Sequence, residues 1–303
     1  MTRSAIDTDR AATATVRTED SVLPGPHGDI PIRIYTPPVP LAEPLGLVWC
    51  HGGAFAYGDL DGPESDWVAR NIAAAGVTVI AVDYRLAPVP AWALELGSEP
   101  GNGSSYYPVA ADEIQAVFDW ATTTMRTASP GGWVLGGASA GGSLTAGVTM
   151  RMRERGGVMP RRLLLAYPLL HPTLPEYRPE LSAKLAAQPE LGAIALDRQT
   201  VEAIALNYVN GDAHLLRDPH VFAGGHDLTG FPPTLILNSD VDTIRASGDA
   251  FAAELAAVGV HLVSLREEGT AHGHLSQPES NGAQRSIQRI IAWLTSPWVE
   301  TGQ

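Results

Sequence analysis

The sequence predicts an α/β protein built on a mostly parallel central sheet with helices on both faces. Short runs rich in Val, Ile, Leu and Trp recur along the 303 residues. These runs are continuously apolar rather than alternating, which means that both faces of each strand are covered. Between them lie stretches with helical spacing of apolar residues, so strand and helix alternate along the chain.

The strand candidates, in order, are GLVWCHG (46–52), GVTVIAVDYR (76–85), GGWVLGG (131–137), RRLLLAYPLL (161–170), PPTLILNSD (232–240) and GVHLVSLREEG (259–269). About 20 residues precede the first strands. Helical spacing appears at 108–125 through Val109, Ile114, Val117, Phe118 and Met125, and at 140–155 through Leu144, Val148 and Met152. The second of these ends in RERGG, a cationic last turn followed by a glycine stop. Residues 244–258 and 283–294 read the same way, the latter through Ile287, Ile290, Ile291 and Leu294.

Two segments break the alternation. Residues 90–108 (PAWALELGSEPGNGSSYYP) read as a flexible surface excursion. Residues 171–230, rich in Pro, His and Gly around a helix-like DRQTVEAIALNYV, exceed a plain crossover and read as an insertion over one end of the sheet. The chain is expected to form one domain, 1–303, with cap elements from about 1–20 and from 171–230.

Composition narrows the function. A net charge of −13 disfavours nucleic acid or an anionic membrane as partner, because like charge repels. The single cysteine, Cys50, excludes an intrachain disulfide framework. No apolar run approaches the roughly 20 residues of a membrane helix, and the polar, acid-containing N-terminus is unlike a secretory signal. A cytoplasmic protein is expected.

The stretch VLGGASAGGSL (134–144) concentrates glycines around Ser139. Gly137, Ser139 and Gly141 form G-x-S-x-G between a strand candidate and a helix candidate, the setting of a nucleophile elbow. Such a turn strains the serine backbone and brings neighbouring chain so close that Cβ atoms at 137 and 141 would collide. The following helix points its N-terminal dipole at the reacting centre. The alternative is a glycine-rich helix start with Ser139 as a plain N-cap.

VWCHGGAFAYGD (48–59) supplies a second constellation. Acyl transfer places negative charge on a former carbonyl oxygen, which aimed backbone N–H groups must hold. A loop of small residues lets the backbone approach, and a further N–H is expected from Ala140, the residue after the nucleophile.

HGGAF (51–55), VDYRLAP (82–88), GASAGG (137–142) and AYP (166–168) stand in this order along the chain. Together they resemble the hormone-sensitive-lipase-like (bacterial family IV) carboxylesterases of the α/β-hydrolase fold, over roughly residues 25–295. The resemblance implies an α/β-hydrolase sheet with a small helical cap and an oxyanion hole at Gly52, Gly53, Ala54 and Ala140, with Gly53 and Ala54 as donors and Gly52 shaping the turn. It makes His51 a structural histidine that pins the loop, rather than a catalytic base.

A serine hydroxyl needs an imidazole to take its proton and a carboxylate to orient that imidazole. In this fold the order is Ser, acid, His. After the late strand, SDVDTIRASG offers Asp240 and Asp242. The family pattern of acid, small residue and apolar residue, with glycine six after the acid, selects Asp242 over Asp240, which is expected to stabilise the turn. The competing role for Asp242 is a helix N-cap. EEGTAHGHLSQ (267–277) places His272 after the last strand. His274 stands where relatives usually carry an aromatic. A His-x-His pair suggests zinc, but no third and fourth ligands stand at recognisable spacing.

The chain departs from the family at Ala138, where relatives carry an acid before the nucleophile, and at Val89, commonly Glu. The expected activity is hydrolysis of small, short-acyl esters through an acyl-enzyme formed on Ser139, with no cofactor or metal. Amidase, lactonase or deacetylase chemistry on the same triad is the alternative, and a non-catalytic small-molecule binder is the rival from another class. The resemblance also implies a homodimer.

Overall fold

The computed structural model describes residues 13, 15–95, 99, 101–189 and 196–297. Eight strands form a single sheet: β1 Arg17–Gly25, β2 Gly28–Thr36, β3 Gly46–Cys50, β4 Val79–Val82, β5 Trp133–Ala138, β6 Leu163–Ala166, β7 Thr234–Val241 and β8 Leu262–Ala271. Their spatial order is β1-β2-β4-β3-β5-β6-β7-β8. β1 and β2 form an antiparallel hairpin, and β2 runs antiparallel to β4. All other pairs are parallel.

The described helices are α1 Asp66–Ala74, α2 Ala91–Glu95, α3 Val109–Thr123, α4 Ala140–Arg155, α5 Pro179–Ala187, α6 Arg198–Tyr208, α7 Arg245–Ala257 and α8 Asn281–Thr295. Two core layers flank the sheet, and successive residues of each strand feed them in turn. Val48 and Cys50, Leu135, Leu163 and Leu165, and Ile236 pack with α3, α4 and α7. Leu47 and Trp49, Val134, Leu164 and Ala166, and Leu235 and Leu237 pack with α1 and α8. This alternation explains why the central strands are apolar at every position. At roughly 25 cal/mol per Å² of apolar surface, burial on both faces is the dominant stabilising term.

Local signals set the helix ends. Ser280 caps α8 by accepting from the Ala283 N–H, and Ile287, Ile290 and Leu294 form its buried stripe. Gly156 ends α4 in the left-handed region, as its glycine stop predicts, with its N–H on the Met152 carbonyl.

Several expectations need correction. The apolar runs overshoot the strands: of 161–170 only Leu163–Ala166 pairs in the ladder. Tyr167 then adopts φ +36°, which turns the chain away from the extended path. Residues 17–20 belong to edge strand β1 and not to a cap, while 1–12 lie outside the described residues.

The excursion at 90–108 is tied down where it is described. Ser104 and Ser105 donate to the Leu86 carbonyl at 3.0 Å, Tyr107 N–H donates to the Tyr208 carbonyl at 3.0 Å, and Tyr57 Oη donates to the Glu99 carbonyl at 3.2 Å. Its residues 101–104 line a separate cavity with Asp29, Asp83 and Arg85, and not the one above Ser139.

Residues 171–230 carry α5 and α6, and both meet the carboxyl end of the sheet. Lys184 of α5 reaches Asp240 of β7, and Ile204 of α6 lines the cavity over Ser139. Among the described residues, no helix is long and apolar enough to cross a membrane, and no three His, Cys, Asp or Glu side chains group as metal ligands.

Candidate active site

Ser139 stands at the junction of β5 and α4 with φ +50° and ψ −116°, outside the regions a non-glycine residue ordinarily occupies. The elbow is as crowded as the glycine pattern predicts. A Cβ on Gly137 would lie 2.4 Å from the Gly141 carbonyl, and one on Gly141 would lie 2.3 Å from the Cys50 carbonyl oxygen. Both neighbours are backbone and cannot swing aside. Ser139 N–H donates to the Ala166 carbonyl at 2.9 Å, which fixes the turn to the next strand.

The serine side chain makes no cap hydrogen bond to its helix. Instead Oγ lies 2.9 Å from His272 Nε2. The other ring nitrogen, Nδ1, lies 2.8 Å from Asp242 Oδ2. Asp242 is buried, and its Oδ1 accepts from the Ile244 N–H at 2.9 Å, so one carboxylate holds both the turn and the ring. The three residues come from the ends of β5, β7 and β8, adjacent in the sheet order from β5 through β6 to β7 and β8. Burial works against the charged form of His272. The Asp242 carboxylate, by charge and hydrogen bond, and Glu64 at longer range outweigh it and raise the imidazole pKa above its ordinary value.

Asp240 has a different job from the turn role expected for it. It is a buried hub whose two oxygens accept from Lys184 Nζ at 2.6 and 2.8 Å, with Arg245 and Arg266 beside it. His274 is also no ligand. Its ring nitrogens lie 2.8 Å from Ser239 Oγ and 2.8 Å from Ser286 Oγ, and its ring meets the Tyr167 ring edge-on. Burial, with the nearby His272, lowers its pKa to about 4. It is a buried, neutral imidazole packed on Tyr167.

The loop 51–58 curls over the serine. Gly53 and Ala54 take positive φ, +113° and +53°, and a Cβ on Gly53 would strike the Tyr57 carbonyl oxygen at 2.1 Å. This conformation leaves the N–H groups of Gly53, Ala54 and Ala140 without a protein acceptor among the described residues, at the wall of the cavity that contains Ser139. Gly52 corrects the expectation that it belongs with the oxyanion set: its N–H donates to Glu64 Oε2 at 2.6 Å and is not available to a substrate. His51 stacks on Tyr84 with ring centroids 4.5 Å apart, and Tyr84 Oη donates to the His51 carbonyl at 2.7 Å. It is buried, with Nδ1 2.7 Å from the Gly52 carbonyl oxygen.

The cavity has a volume of about 480 Å³. Ala54, Leu169, Leu196, Ile204 and Ile244 give it an apolar wall, while Tyr57, Asp59 and Glu64 line another part. Glu64 is the residue that sequence reading missed. No motif marks it, because it acts on the loop from a position 12 residues downstream of Gly52.

A family described as alpha/beta hydrolase fold matches residues 47–94 and 103–276, the span that holds the oxyanion loop, Ser139, Asp242 and His272. Carboxylesterase NlhH of Mycobacterium tuberculosis is 30% identical over 256 residues, covering 82% of this chain and 72% of that protein. Esterase LipI of the same organism is 31% identical over 269 residues, covering 86% of this chain and 75% of that protein. A hyperthermophilic esterase from the archaeon Pyrobaculum calidifontis shares the fold, with a TM-score of 0.76 over 95% of this chain and 90% of that one at 24% identity. The family match and the relatives' identities agree with the elbow and the strand order, and on these grounds the chain belongs to the α/β-hydrolase family, in its hormone-sensitive-lipase-like branch of carboxylic ester hydrolases.

Proposed function

We propose that this chain hydrolyses carboxylic esters of small acyl groups, with Ser139 as nucleophile, His272 as base and then acid, and Asp242 as the group that orients His272. The observation that carries the reading is the relay from Ser139 Oγ to His272 Nε2 at 2.9 Å and from His272 Nδ1 to Asp242 Oδ2 at 2.8 Å. With Nδ1–H donating to Asp242, Nε2 is free to accept the serine proton.

The steps follow from these positions. Oγ attacks the ester carbonyl carbon as its proton passes to Nε2, and the C=O electron pair moves onto oxygen. The N–H groups of Gly53, Ala54 and Ala140 face that oxyanion, and the N-terminus of α4 adds a favourable dipole. Collapse of the tetrahedral intermediate expels the alkoxide, which takes the proton from Nε2 and leaves an acyl-serine. Water then attacks the acyl carbon with His272 as base, releasing the acid and restoring Ser139. The apolar wall of Leu169, Leu196, Ile204 and Ile244 suits an acyl chain, and the volume of about 480 Å³ suits a small ester.

Ser139→Ala is expected to remove hydrolysis of an activated acetyl or butyryl ester, and an organophosphonate probe is expected to add one mass increment to the wild-type chain at Ser139 and none to the variant. Turnover retained in Ser139→Ala would overturn the assignment.

A further inference from the structure

Glu64 lies between the oxyanion loop and the floor beneath the imidazole. Its Oε2 accepts the Gly52 N–H at 2.6 Å, and its Oε1 accepts the Tyr167 hydroxyl at 2.5 Å. Its own carbonyl accepts Trp49 Nε1 at 2.8 Å, which fixes its backbone to the sheet. Tyr167 is fully buried, and its ring meets the His272 ring edge-on with centroids 5.2 Å apart. On the loop side there is no slack: a Cβ on Gly52 would lie 2.6 Å from Glu64 Oε2 and 3.0 Å from Ser139 Cβ. A carboxylate that takes both donors at once ties the loop carrying Gly53 and Ala54 to the residue that backs His272. It also stands in the wall of the cavity.

Resting on the hydrolase reading above, we propose that Glu64 is a positioning residue of the reaction, holding the Gly53 and Ala54 N–H groups at the oxyanion and adding a second negative charge behind the imidazole. It touches no reacting atom. Its geometric effect runs through Gly52, which it fixes one residue before the first donor. Misplacing such donors by about 1 Å costs on the order of 100-fold in rate. Its electrostatic effect adds to that of Asp242 and favours protonated His272. The other titratable groups facing that ring are Tyr167, whose hydroxyl burial keeps protonated, and His274, which burial keeps neutral near pH 7.

Glu64→Gln separates this role from plain packing, because the amide keeps the shape but has one acceptor oxygen for two donors and no charge. On a butyryl ester, kcat is expected to fall roughly 10- to 100-fold with KM within about threefold. The acidic limb of kcat/KM should move to lower pH. Glu64→Asp keeps the charge and should keep that limb at its wild-type position. A Gln variant with wild-type kcat and an unmoved limb would overturn the role. Should the Gln variant fail to fold, Tyr167→Phe removes one anchor and leaves the charge. A lowered kcat with an unmoved limb then supports the role, and an unchanged kcat overturns it. Absence of ester turnover in the wild-type enzyme would instead refute the hydrolase reading, and this role with it.

Discussion

In the proposed mechanism His272 is the base on which the pH response turns, and the sign follows from its surroundings. As base it must be neutral, so activity rises with pH through its pKa, which the structure places above the ordinary histidine value of about 6.5. The acidic limb of kcat/KM is therefore expected to have its midpoint above 6.5. Asp242→Asn removes the charge that holds the proton on, and it permits the wrong tautomer. The limb should move down in pH, and kcat should fall by about 10³- to 10⁴-fold, read from pH–rate profiles on one activated ester. A limb unmoved by Asp242→Asn would assign the titration to another group. Asp242 stands out from Asp240 in the sequence only through the family pattern, because Thr243, Ile244 and Gly248 follow it at the expected spacing. Gly137 and Gly141 were legible directly, since a missing side chain leaves a mark in the sequence. Glu64 leaves none, because its partners are backbone N–H and a tyrosine more than 100 residues away.

At the scale of elements, legibility tracks how many faces are buried. The parallel strands β3 to β7 announce themselves because every position is enclosed. β1 does not, since its residues are exposed or half-buried throughout and its sequence, RTEDSVLPG, reads as a polar leader. α1 and α5 have nine residues each, too few to establish a period, and α5 buries only Leu181. α6 was legible as the helix-like DRQTVEAIALNYV, and in the structure Asp197 caps it by accepting the Thr200 N–H at 2.8 Å. This helix also has a functional consequence. Ile204 is buried and lines the cavity together with Leu196 and Ala54. Ile204→Ala removes three methylene-sized groups, which is worth about 2–3 kcal/mol of apolar contact at most. The variant should gain activity on hexanoyl and octanoyl esters relative to butyryl by severalfold, measured as ratios of kcat/KM. An unchanged acyl-length profile would place the acyl chain elsewhere.

Across the whole molecule, the piece that joins α5 to the sheet is ionic rather than apolar. Asp240 of β7 accepts from Lys184 of α5 and lies 3.2 Å from Arg266 of β8, while Glu180 of α5 pairs with Arg245 of α7 and Arg266. Asp240 and Arg245 are both buried, whereas Lys184, Glu180 and Arg266 are more open to solvent. Removing one charge from such a hub leaves the others underpaired, at a cost of about 3 kcal/mol, below the upper range for fully enclosed pairs because Lys184 and Arg266 can be rehydrated. Asp240→Asn should therefore lower stability at pH 7 by about that much, measured by urea unfolding. Burial opposes ionisation of Asp240, but Lys184, the Gly269 N–H and Arg266 prevail and hold its pKa below the usual carboxylate value. A depressed carboxylate stabilises above its unfolded pKa of about 3.9 and stops doing so as pH falls through its folded value. The gap between wild type and Asp240→Asn should thus persist from pH 7 down to about pH 4 and close only below it. His274 acts in a different window. Its folded pKa of about 4 against about 6.5 unfolded makes stability fall as pH drops from 6.5 to 4, by roughly 3 kcal/mol, in wild type and Asp240→Asn alike. Parallel loss in both proteins between pH 6.5 and 4, followed by convergence below, is the expected pattern. Convergence already at pH 5 would show that the Asp240 cluster does not hold α5 to the sheet through its charge.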